Sequence, residues 1–154
     1  MEYDTRKEER VWQRVQNEKA EMNPMLHGEH LPALIMEQLQ LSAAYLQLSR
    51  LLQGKDGAEF VRLAREARTQ AVCMKGILVL ITGQAQQINA APVQITTVDA
   101  TLRSCYGKEL RFVKICENRC AEPEYGPVFG RLAQRGQEHC CTLLEMIGKT
   151  GRGK

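Results

Sequence analysis

Aromatic residues are scarce in this chain of 154 residues: three Phe, four Tyr and one Trp, 5% in all. Net charge is small as well, +3 with neutral histidines. Without a concentrated patch that value implies no nucleic-acid partner. The clearest basic cluster, "GKTGRGK" over 148–154, is terminal and glycine-rich, so a flexible, solvated basic tail is expected there. No apolar run approaches the ~18–20 residues of a membrane helix. The longest, "GILVLITG" from Gly76, is far shorter. The opening "MEYDTRKEER" lacks the apolar region of a secretory leader, so a cytoplasmic chain with no membrane partner is expected. Phosphate loop, dinucleotide fingerprint and serine-nucleophile motif are all missing. Paired CxxC motifs are missing too. The six cysteines are poorly spaced for a disulfide framework. Cys116 and Cys120 lie one helical turn apart, and Cys140 and Cys141 are adjacent. Reduced, mostly buried thiols are expected.

What the chain does have is Leu, Ala, Glu, Gln, Arg and Met, a composition that favours helix. A segment with Val11, Trp12 and Val15 on one face predicts a short amphipathic N-terminal helix. "MNPMLHGEHLP", over 22–32, reads as a connector. Its His27, Glu29 and His30 suit a solvated loop better than a surface metal site, since a fourth ligand is lacking. Four long helical patterns follow, over about 31–52, 58–81, 99–120 and 128–147. A tight turn containing Gly54 and Gly57 joins the first two, and "AEPEYGP" joins the last two. Between the second and third lies "QAQQINAAPVQITT", a long crossover after which Thr97 or Asp99 caps a helix. Short turn, long crossover, short turn describes an all-α four-helix bundle.

Bundle helices bury positions spaced alternately by three and four. The inward sets read Leu34, Glu37, Leu41, Ala44, Leu48 and Leu51; then Phe60, Leu63, Ala67, Gln70, Met74, Ile77 and Ile81. The third and fourth read Leu102, Tyr106, Glu109, Val113, Cys116 and Cys120; then Val128, Leu132, Gly136, His139, Leu143 and Met146. Each is apolar except near one level, where Glu37, Gln70, Glu109 and His139 fall within one or two turns of a common layer. A carboxylate buried without a partner costs several kcal/mol or takes up a proton. Two glutamates and an imidazole there call for a metal ion or for mutual pairing. Glu66 and Glu138 lie one residue off their stripes, and each is expected to face a flank or solvent.

The helix pattern, the crossover and the phrases "EQLQLSAAYLQL", "CYGKEL" and "QEHCC" resemble ferritin-like proteins of the rubrerythrin type over about 31–147. The resemblance implies an up-down-down-up bundle. It also implies a di-iron site built from one Glu on each of helices 1 and 3 and a Glu-x-x-His on each of helices 2 and 4. Glu37, Glu109 and His139 match that pattern as metal ligands. Ala67, Gln70 and Gly136 stand where two further glutamates and a histidine would be. Gly136 reads as the remnant of a lost ligand, leaving room for a bulky neighbour, a water or a ligand. The expected function is therefore a ferritin-like protein with an incomplete di-iron set, binding one iron, manganese or zinc ion or none. Such a protein would act as a non-catalytic binding or interaction protein, with a homodimer as one expected partner. The competing expectation is a di-iron oxidoreductase acting on peroxide or oxygen with a separate electron donor.

Overall fold

The computed structural model describes residues 30–152, which form four α-helices with no strand among them. They are α1 (Leu31–Leu51), α2 (Gly54–Thr82), α3 (Val98–Arg119) and α4 (Gly126–Arg152). The amphipathic segment around Trp12, with His27 and Glu29, lies outside the described residues. No described helix is long and apolar enough to cross a membrane.

Local chemistry sets the helix ends. Pro32 occupies the first turn of α1, where a missing N–H costs nothing. The Thr97 hydroxyl accepts from the Ala100 N–H at 3.1 Å and caps α3. Gly54 opens α2 at φ 69°, a left-handed conformation. It lets α2 start four residues earlier than the periodicity suggested. α4 continues to Arg152, beyond the expected end at 147, where Lys149 reaches Asp56 at 3.3 Å.

The core divides into two apolar clusters. One gathers Leu31, Leu34, Ile35, Ala71, Met74, Ile77, Phe112, Cys116, Phe129 and Leu132. The other gathers Leu41, Tyr45, Leu48, Phe60, Leu63, Ala67, Leu102, Cys105, Leu143 and Met146. On every helix the residues between the two clusters include buried polar ones: Gln38 on α1, Gln70 on α2, Glu109 on α3 and His139 on α4. A polar layer thus crosses an otherwise apolar interior. The crossover strap runs from one cluster to the other, with Ile88 on the first and Val93 and Ile95 on the second. Gln47 Nε2 donates to the Val93 carbonyl at 2.6 Å and ties the strap to α1.

Two helices keep their expected inward stripes and two do not. On α2 and α4 the expected positions are buried, or half-buried at Ile81 and Val128. On α1 the inward line passes through Gln38 and Tyr45, while Leu51 is 56% exposed. The pairs Leu34/Ile35 and Leu41/Ser42 are buried together, so the apolar pattern admits two phases. The phase adopted buries the ring of Tyr45. On α3, Cys105 and Arg119 replace Tyr106 and Cys120. The guanidinium of Arg119 lies over the Phe129 ring at 5.2 Å and pairs with Glu122 through Nη2, which offsets part of the cost of its burial, while Nε and Nη1 have no hydrogen-bond partner among the described residues.

Candidate functional site

The polar layer centres on His139, which α4 carries into the bundle with no exposed surface. Both ring nitrogens meet carboxylates. Nδ1 lies 3.0 Å from Oε1 of Glu109, and Nε2 lies 2.7 Å from Oε2 of Glu66. Glu109, itself fully buried, also accepts from the Tyr45 hydroxyl at 2.8 Å on the same oxygen. The Tyr45 and His139 rings meet nearly edge-on, 6.4 Å between centroids. Toward the surface, Arg62 Nη1 donates to both oxygens of Glu66 at 2.8 and 3.0 Å, and Nη2 pairs with Glu59. The chain reads Tyr45, Glu109, His139, Glu66, Arg62, Glu59, with charge alternating from Glu109 outward.

This alternation governs the ionisation of the groups. Burial alone pulls the His139 imidazole toward the neutral form. The hydrogen bonds and charges of Glu109 and then Glu66 outweigh it and hold its pKa above the ordinary 6.5. An imidazolium is the only form of the ring that donates to a carboxylate from both nitrogens. For Glu66, burial pushes the carboxyl up, but His139 and Arg62 together bring it below its ordinary 4.5. Tyr45 is driven well above its ordinary 10.0, first by burial and then by the charge of Glu109. Burial likewise pushes the thiols of Cys105 and Cys116 up to about 12. None of the six cysteines is in a disulfide.

Of the three expected ligands, the structure brings Glu109 and His139 together. Glu37 does not join them. It sits half-buried on the flank of α1, where Arg111 Nη2 donates to it at 2.9 Å. The cause is the phase of α1: turning Gln38 and Tyr45 inward carries Glu37 sideways, and the tyrosine hydroxyl meets Glu109 instead. Tyr106 is half-buried and packs on the second cluster.

Glu66 corrects a second expectation. The stripe of α2 holds, with Leu63, Ala67 and Met74 fully buried. Even so, Glu66 reaches His139 from one position off it. A glutamate is long enough to bend inward, and Arg62, one turn back, fixes its carboxylate. The Arg62–Glu66 spacing of four was the available sequence signal.

The room at Gly136 is taken by a bulky neighbour. A Cβ there would stand 2.6 Å from Val113 Cγ2 and 3.5 Å from Phe112 Cδ1. The missing side chain lets α3 press against α4, and Val113 fills the space.

These residues do not fit the metal that the ferritin-like resemblance implies. The ring nitrogens of His139 point to opposite sides, each to its own carboxylate, so one ion cannot engage the imidazole and both acids at once. Val113 occupies the place of a ligand at position 136. Among the described residues, no group of three or more His, Cys, Asp or Glu side chains is arranged to hold a metal ion. No family model matches the chain, and no curated protein and no solved structure is significantly similar to it.

Proposed function

We propose that this chain is a ferritin-like four-helix protein whose centre is closed by ion pairs instead of metal, and that it works as a non-catalytic binding or interaction protein. The observation that carries the reading is the double engagement of His139. Both nitrogens that would bind a metal are hydrogen-bonded to Glu109 and Glu66. The contact of His139 with Glu109 on one side and Glu66 on the other lets the imidazolium take the place of a cation beside buried carboxyl groups, with only Glu109 Oε2 of these groups left without a hydrogen-bond partner among the described residues.

An up-down-down-up topology is supported by the contacts between helices. Along α1 and α3, Glu37 meets Arg111 and Tyr45 meets Glu109, so the numbers rise on one helix as they fall on the other. Along α2 and α4, Asp56 meets Lys149 and Glu66 meets His139 in the same sense. The strap over 83–97 runs the length of the bundle, which such a topology requires.

The test is metal uptake. Purified protein incubated with iron(II) and then exposed to air should hold no stoichiometric iron and show no oxo-bridge absorption. Two irons per chain with that absorption would overturn the reading in favour of an oxidoreductase.

A further inference from the structure

We infer that the groove between α2 and α4 is a binding site for a small organic carboxylate with a short apolar tail. The groove encloses about 230 Å³ and is lined by Gln70, Cys73, Val128, Arg131, Leu132 and Arg135. That volume lies below the usual range for drug-sized ligands and suits a short-chain acid.

Two features of the groove need an explanation that the fold does not supply. Gln70 is 2% exposed and, like Gln38 in the same layer, has no hydrogen-bond partner among the described residues for its amide oxygen or nitrogen, but of the two only Gln70 lines a groove. Buried amides are nearly always satisfied. At the mouth, Arg131 and Arg135 are exposed and stand four residues apart on one face of α4. Like charges at this spacing repel. Neither arginine forms an ion pair with an acid among the described residues. An anion held between them would relieve the repulsion.

The donors favour a carboxylate over a tetrahedral anion. A guanidinium presents a planar fork that matches the two oxygens of a carboxylate. The Gln70 amide, shielded from solvent, supplies one donor in the floor once its side chain turns toward the ligand, while Val128 and Leu132 offer only apolar wall. A group with its charge at one end and hydrocarbon at the other satisfies both halves. The site is separate from the His139 chain and stands whatever the protonation state of that ring.

The probe is hexanoate, titrated calorimetrically into the full chain, with inorganic phosphate as the comparison. Hexanoate should bind saturably at one site, with phosphate at least tenfold weaker. Arg135→Gln should weaken hexanoate by roughly tenfold, the loss expected when one charge-assisted hydrogen-bonded group is removed. Gln70→Leu should weaken it as well. That variant keeps the fold, because it replaces an unpartnered amide with hydrocarbon, and circular dichroism verifies this. Bound hexanoate should also slow alkylation of Cys73 but not of Cys141, read by peptide mass spectrometry. Absence of saturable binding, phosphate binding as tight as hexanoate, or binding untouched by both substitutions would each overturn the proposal.

Discussion

Gly136→Ala separates two accounts of the same residue by the sign of its effect. If the glycine were only a gap left by a lost ligand, alanine would fill it and remove the conformational penalty of glycine. That change would stabilise the protein by ~0.5–1 kcal/mol. The structure predicts the reverse. The new Cβ would stand 2.6 Å from Val113 Cγ2, about 1 Å inside the normal contact of ~3.5–4 Å. Val113 is 4% exposed and β-branched on a helix, so its χ1 is locked and it cannot turn away. Overpacking of this kind costs about 1–3 kcal/mol. Set against the propensity gain, alanine should destabilise by up to about 2.5 kcal/mol, or up to roughly 10 °C in Tm for a domain of this size. Urea unfolding followed by circular dichroism measures the change. Adding Val113→Ala should make the double variant less destabilised than the sum of the singles, by roughly 0.5–3 kcal/mol of coupling. A more stable Gly136→Ala protein would refute the close-approach reading.

Other outcomes follow from the polar layer. His139→Leu leaves the Glu109 carboxylate buried without its cation and should cost about 3–5 kcal/mol in urea unfolding; a loss under 1 kcal/mol would mean that the pair does not form. Tyr45→Phe removes one of the two donors to Glu109 and should cost about 1–3 kcal/mol by the same assay. The pH dependence has two limbs. A raised imidazole contributes stability that is complete below its unfolded value of 6.5 and lost as pH climbs through the folded value. A lowered Glu66 contributes stability that is present above 4.5 and lost as pH falls through its folded value. The stability difference between wild type and His139→Gln should therefore be largest between those limits and shrink on both sides; a difference flat from pH 3 to 9 would contradict it. Cys105 and Cys116, with thiols at about 12, should resist iodoacetamide at pH 8 in the folded protein, while the exposed Cys120 and Cys141 react.

The four helices were legible because their apolar spacing and turn glycines agree, and the polar level was legible because every stripe is interrupted there. The phase of α1 was not. Leu34 with Ile35, and Leu41 with Ser42, leave two lines of nearly equal apolar content, and only packing of the Tyr45 ring chooses between them. The buried face is shifted toward Gln38 and Tyr45 while Leu34, Leu41, Ala44 and Leu48 stay inside, and this leaves Glu37 at its edge, out of the layer. Glu66 escaped notice for a different reason. A stripe specifies where Cβ points, whereas the oxygens of a glutamate carboxylate lie three bonds further on and can return to the interior. At Gly136 the sequence shows that a side chain is missing but not which of a bulky neighbour, a water or a ligand takes its place; Val113 does.

The most direct measurement is the protonation state of His139 by ¹⁵N NMR. Both ring nitrogens should resonate as an imidazolium at pH 7, in metal-free protein, and the ring should lose its proton above 6.5. A neutral ring at that pH, with one protonated nitrogen and one bare, would contradict the double clamp by Glu109 and Glu66.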